Sequence, residues 1–124
     1  MSKENLSVSE MQQMQFDLYE VNKEKWNDME PNAAKNHMLY MIEEIGECIS
    51  IIKKKGIDAI MENPEVRGRF VEEMTDVQNY YMEVLNRLKI TPEEFSKAYI
   101  DQHNTNMTRD YVADNKNKYN NKTF

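Results

Sequence analysis

The chain contains a single cysteine, Cys48, so neither an intrachain disulfide nor a cysteine metal cluster is possible. Its setting in an apolar helical stretch predicts a buried structural thiol rather than a nucleophile. Glycine and proline are equally scarce, three of each, which leaves long helix-compatible stretches uninterrupted. An all-α fold is expected. No apolar run approaches transmembrane length, and the polar start Met1-Ser2-Lys3-Glu4-Asn5 leads into no secretory segment, so a cytoplasmic protein away from membranes is expected. Basic charge is also in deficit. The net charge of −6 argues against a DNA or RNA polymer as partner, because the phosphate-neutralising surface such binding needs is missing.

What remains is a helical chain of one domain's length. Residues 9–112 read as the domain, 1–8 as a flexible N-terminus and 113–124 as a polar Asn/Lys-rich tail expected to fray. Ser7-Val8-Ser9-Glu10 is a capping box opening a first helix to about Lys25, with Met11, Met14, Leu18 and Val21 as its apolar side. A second helix is expected from after Pro31 to Lys55, ending in the basic turn Lys53-Lys54-Lys55 with Gly56 as C-cap. Asn63-Pro64-Glu65 then starts a third helix running to about Leu88, and Thr91-Pro92-Glu93-Glu94 starts a fourth. The short connection makes the second and third helices antiparallel neighbours in a four-helix-type bundle.

Two acidic runs interrupt the apolar pattern of these neighbours: Glu43-Glu44-Ile45-Gly46-Glu47 and Glu72-Glu73-Met74-Thr75-Asp76. Folding the hairpin about Ile60 brings Glu44 level with Asp76 and Glu47 level with Glu73. Within each helix the two side chains are three residues apart and share one side. The main stripe of the second helix is read as Met38, Met41, Ile42, Ile45, Ile49 and Ile52, with Glu44 at its edge. That of the third is Val66, Phe70, Met74, Val77, Tyr81, Val84 and Leu88, with Glu73 and Asp76 to one side beside Tyr80. Converging carboxylates repel and raise one another's pKa values unless a cation neutralises them. Oxygen ligands of this kind select Mg²⁺, with Mn²⁺ as a possible substitute, over zinc. The competing reading is a solvated helix face, since 22 acidic residues place adjacent glutamates on surfaces by chance.

The pattern Met41-Ile42-Glu43-Glu44-Ile45-Gly46-Glu47, Ile51-Ile52-Lys53-Lys54-Lys55-Gly56 and Phe70-Val71-Glu72-Glu73-Met74-Thr75-Asp76-Val77 resembles the all-alpha nucleoside triphosphate pyrophosphohydrolases of the MazG-like superfamily. Asn106-Met107-Thr108-Arg109-Asp110-Tyr111 is similar to the C-terminal phosphate-binding segment of its small stand-alone members. The resemblance implies metal-assisted hydrolysis of an NTP or dNTP between the α and β phosphates, giving the monophosphate and pyrophosphate, as in housekeeping of the nucleotide pool. It implies Glu44, Glu47, Glu73 and Asp76 as Mg²⁺ ligands and catalytic residues, and a homodimer or homotetramer.

Arg109 is the leading phosphate-binding candidate, because a guanidinium grips phosphate through two N–H donors. Asn106 and His103 precede it at three-residue steps on one helical side. Lys54 and Lys35 are further phosphate candidates, although capping electrostatics independently explains the lysine turn. Gln102 stands where close relatives usually carry lysine, which removes a positive charge. For the base, Trp26 either stacks on it or anchors a loop, Gln15 and Asn22 offer edge-reading amides, and Tyr80 lies near the carboxylates. Two alternatives stay open: a phosphoribosyl-ATP pyrophosphohydrolase, and a noncatalytic helical regulatory or interaction protein whose acidic runs solubilise it.

Overall fold

The computed structural model describes residues 4–109 and 113, and among these every regular element is helical. Five α-helices, α1 Val8–Asn22, α2 Ala34–Lys55, α3 Ile57–Glu62, α4 Pro64–Arg87 and α5 Pro92–Thr108, are joined by short connections. A 3₁₀ turn, Pro31–Ala33, leads into α2. The chain divides into two compact units, Met1–Pro92 and Glu93–Phe124, with α1 to α4 in the first and nearly all of α5 in the second. None of the helices described is long and apolar enough to cross a membrane. The tail from residue 114, expected to fray, lies outside the described residues.

Local chemistry sets the helix ends. Ser7 Oγ accepts from the Glu10 N–H at 3.2 Å while the Glu10 carboxylate accepts from the Ser7 N–H at 2.9 Å, a complete capping box. Gly56 ends α2 at φ 87°, ψ 156°, a conformation open essentially to glycine. Asn63 Oδ1 then accepts from the N–H groups of Glu65 and Val66, and Pro64 occupies the first turn, where no N–H is needed. Between these two signals the connection folds into the single short helix α3, which buries Ile60. The first helix ends at Asn22, one turn before Lys25, where Asn22 accepts main-chain N–H bonds from Lys25 and Trp26.

The buried sides of the helices differ from the apolar stripes expected of them. On α1 the buried residues are Gln12, Gln15 and Tyr19, while Met14, Leu18 and Val21 are exposed. The glutamines turn inward because α4 and the turn after it supply their partners. Gln12 Nε2 donates to Ile90 O at 2.9 Å, Asn86 Nδ2 donates to Gln12 O at 3.0 Å, and Gln15 Nε2 donates to Glu83 Oε2 at 3.0 Å. On α2, Cys48 is buried and Glu44 half-buried, whereas Met38, Ile42, Ile45 and Ile49 are exposed. At 100° per residue these two sets lie roughly 110° apart around the axis. Thus α2 carries two apolar faces. The one that packs within the chain has Glu44 inside it rather than at its edge.

Helix α4 turns Phe70, Glu73, Val77, Tyr80 and Val84 inward to partial burial and leaves Val71, Met74 and Tyr81 exposed. Its C-terminal half is the best-buried part of the chain, with Met82 at 2%, Glu83 at 1% and Arg87 at 0% exposure. The antiparallel register extends the one expected from the carboxylates: Tyr40 lies level with Tyr80, their ring centroids 5.7 Å apart.

Candidate functional site

Glu44, Glu73 and Asp76 each offer a carboxylate oxygen within 4.8 Å of the others; Glu44 and Glu73 are half-buried between α2 and α4, and Asp76 is exposed beside them. Partial burial raises the Glu44 pKa; its hydrogen bond with Glu73 and the charges of Asp76, Glu73 and Glu47 add to the rise. Two carboxyl groups hydrogen-bond only when one holds a proton. A cation is the alternative to that proton. Around an Mg²⁺ ion neighbouring oxygens lie about 3.0 Å apart and opposite ones about 4.2 Å, so the cluster would draw in by up to about 2 Å to surround one. The donor set and the spacing therefore fit a hard divalent cation. Exposed Glu47, one turn along α2, stands outside this triplet but shares a cleft with Glu73.

The cluster lies between two cavities. Toward the N-terminus of α2 and the C-terminus of α4 is an aromatic chamber of about 360 Å³, walled by Trp26, His37, Tyr40 and Tyr80, with Gln15 and Glu83 also in its wall. The His37 ring meets Tyr40 edge-on at 5.4 Å and Tyr80 at 6.0 Å. Burial and the nearby Arg87 charge lower the His37 pKa, and its Nδ1 is buried with no partner among the described residues. Tyr80 connects chamber and cluster: burial raises its pKa first, and the charges of Glu44 and Asp76 follow.

On the other side, between the C-terminus of α2 and the N-terminus of α4, is a cleft of about 380 Å³. Lys54, Lys55 and Arg69 bring positive charge to its walls beside Glu47, Glu73 and Glu65. Among the described residues these three cations make no ion pair within 4.0 Å. The order along α4 is thus Glu83, Tyr80, Asp76, Glu73, Arg69, and from Tyr80 to Arg69 the helix rises roughly 16 Å.

Most of the residues named from sequence converge on this line, and some do not. Gln15, Trp26 and Tyr80 line the aromatic chamber, and Lys54 lines the cleft on the other side. Asn22 instead donates Nδ2 to the Leu18 carbonyl of its own helix at 2.9 Å, and Lys35 stands exposed in the first turn of α2. His103 and Asn106 belong to α5 in the second unit, where Asn106 Oδ1 accepts from Gln102 Nε2 at 3.2 Å; Arg109 follows the last turn. Of the segment Asn106 to Tyr111, Asp110 and Tyr111 lie outside the described residues.

Sequence reading missed His37, Tyr40, Arg69, Glu83 and Arg87. A signal was present for three of them. His37 and Tyr40 precede Glu44 by seven and four residues, and Arg69 precedes Glu73 by four, all spacings that keep to one helix face.

Cys48 sits one turn from Glu44, is buried, and has its pKa raised by that burial and then by the Glu73 and Glu44 charges. A thiol so placed is a poor nucleophile. Comparison of the chain with family models, curated proteins and solved structures finds no match.

Proposed function

We propose that this protein is an Mg²⁺-dependent nucleoside triphosphate pyrophosphohydrolase, cleaving an NTP or dNTP between the α and β phosphates. One observation carries the reading: aromatic chamber, carboxylate cluster and a cleft bearing Lys54, Lys55 and Arg69 follow one another along the α2/α4 hairpin. A nucleotide has the same order of chemistry, with a stackable base, a phosphate chain that travels with a divalent cation, and a polyanionic end.

Glu44, Glu73 and Asp76 would hold the ion, with Glu47 at the margin. Bound there, Mg²⁺ supplies Lewis-acid neutralisation of phosphate oxygens. The chain does the rest. Trp26, Tyr40 and Tyr80 offer faces for the base. Lys54, Lys55 and Arg69 meet the charge that gathers on the departing pyrophosphate. Water attacks phosphorus, the bond to the bridging α–β oxygen breaks, and a carboxylate takes the proton the water loses. Glu47 is the candidate for that proton, because it is exposed and stands outside the triplet.

Homodimer or homotetramer formation belongs to the same proposal. The exposed Met38, Ile42, Ile45 and Ile49 form an unbroken apolar line on α2, and Val71 and Met74 are exposed on α4. The cytoplasm, where nucleotides are available, is the proposed location.

The test is production of both pyrophosphate and monophosphate from a panel of NTPs, dNTPs and phosphoribosyl-ATP, with Mg²⁺, Mn²⁺ or EDTA. Equimolar, metal-dependent formation of the two products is expected. Absence of turnover across the panel by folded protein, together with absence of Mg²⁺ binding, would refute the proposal in favour of a noncatalytic protein.

A further inference from the structure

Two buried charges beside the aromatic chamber have no part in the chemistry just described. Glu83 and Arg87 are 1% and 0% exposed, and both carboxylate oxygens are engaged: Oε1 accepts from Arg87 Nε at 2.9 Å and Oε2 from Gln15 Nε2 at 3.0 Å. A buried ion pair seldom stabilises more than apolar side chains of equal volume. Its effect on Gln15 is specific. A carboxylate only accepts hydrogen bonds, so the Gln15 amide must turn its nitrogen toward Glu83. That leaves Oε1 as an acceptor of fixed orientation. Gln15 is 9% exposed and lines the chamber, and among the described residues no donor reaches Oε1.

We propose that Gln15 Oε1 reads the exocyclic amine of a nucleobase, so the chamber favours bases carrying a ring amine over those with a carbonyl at the same position. This rests on the nucleotide reading of the site. An amine N–H placed against Oε1 supplies the hydrogen bond that no described residue makes to it. A carbonyl there would set two acceptors against each other, both desolvated and unpaired, a mismatch that a polar site rejects strongly. The Glu83–Arg87 pair acts as a positioning element, preventing the Gln15 amide from turning over to accept the carbonyl instead. Arg87 is itself pinned by the carbonyls of Asp28 and Asn27, at 2.5 and 3.3 Å, so the arrangement cannot rotate as a unit.

The test measures equilibrium binding, without turnover, of α,β-methylene analogues of CTP against UTP and of ATP against ITP, with Mg²⁺. Each pair exchanges an exocyclic amine for a carbonyl and, with it, turns the neighbouring ring nitrogen from an acceptor into an N–H donor. The amine member of each pair is expected to bind about tenfold tighter or more. Gln15→Met, which removes the acceptor and leaves the Glu83–Arg87 pair in place, is expected to bring the ratio to about twofold or less. Glu83→Gln should reduce it too, because an amide at this position both donates and accepts. If Glu83→Gln does not fold, the wild-type ratios and Gln15→Met decide. Equal binding, tighter binding of the carbonyl member, no binding of either, or a ratio unchanged by Gln15→Met would overturn the inference. An amine preference without hydrolysis of the parent triphosphates would uphold it while the pyrophosphohydrolase proposal failed; hydrolysis with no amine preference would do the reverse.

Discussion

Replacing Arg87 by methionine removes a guanidinium that is 0% exposed, donates to Glu83 at 2.9 Å, and holds the 27–28 carbonyls. The stem's packing volume is largely kept. What is lost is the countercharge of a carboxylate only 1% exposed. Breaking a buried pair from one side costs about 3–5 kcal/mol, because the remaining charge is neither solvated nor paired. An unfolding entropy of about 2.1 cal/mol/K per residue gives roughly 0.26 kcal/mol/K for a chain of 124 residues. The expected fall in Tm is therefore about 12–19 °C. Replacing both members, Glu83→Met with Arg87→Met, removes the orphaned charge and should recover most of that fall. Lys97 and Asp101, paired at 2.6 Å but 79% and 61% exposed, provide the control: Lys97→Ala should leave Tm unchanged within error, since solvent screens such a pair. Thermal unfolding followed by circular dichroism, at one protein concentration so that any subunit association contributes equally, is the assay. A fall under about 4 °C for Arg87→Met, or a double variant no more stable than the single one, would refute the argument.

Glu44 sets a pH dependence. Its pKa is raised in the folded protein, so the native state binds that proton more tightly than the unfolded chain, and without metal its contribution to stability is lost as pH rises from about 4.3 through the raised value. In EDTA the urea midpoint of wild type relative to Glu44→Gln should fall across that window, and Mg²⁺ should abolish the fall; a relative rise would contradict the sign. Gly56→Ala should destabilise by about 1–3 kcal/mol through backbone strain alone, since a Cβ there meets nothing within 4 Å at φ 87°; an unchanged denaturation midpoint would count against it. Ile45→Lys, on the exposed line of α2, should convert the proposed homo-oligomer to smaller species in sedimentation velocity, and an unchanged sedimentation coefficient would exclude that face as an interface.

The parts of the fold legible in the sequence are those written in local chemistry. Ser7 with Glu10, Gly56, and Asn63 with Pro64 are complete signals within four residues, and the last two bound the short connection that lets α2 and α4 bring Glu44 to Glu73 and Asp76. Helix α3 was hidden because six residues give too little periodicity to distinguish a turn of helix from a loop. Orientation was hidden for a different reason. On α2 two apolar faces coexist, and a hydrophobic pattern records that a face is buried without recording by what; the stripe through Ile42, Ile45 and Ile49 is not the one that meets α4.

Gln12 and Gln15 were equally unreadable as core residues, because their partners Asn86, Ile90 and Glu83 lie 68 to 78 positions away. Nor does an i, i+4 Glu–Arg pair look buried in sequence, since the same spacing at Lys97 and Asp101 is exposed. The carboxylates were found because their chemistry is concentrated in two short runs. The aromatic chamber was found only in part, because its walls come from α1, the 23–33 connection, α2 and α4.

The most direct measurement is quantitation of pyrophosphate and monophosphate released by the wild-type protein and by Glu73→Gln, with Mg²⁺ and with EDTA. Glu73 stands in both the carboxylate triplet and the cleft that holds Lys54, Lys55 and Arg69, so its loss should disable the centre without unfolding the helices around it. Equimolar products from wild type with Mg²⁺, none with EDTA, and a fall of at least about 100-fold in Glu73→Gln of unchanged circular dichroism are predicted. Products formed in EDTA, or turnover by Glu73→Gln equal to that of wild type, would contradict the account.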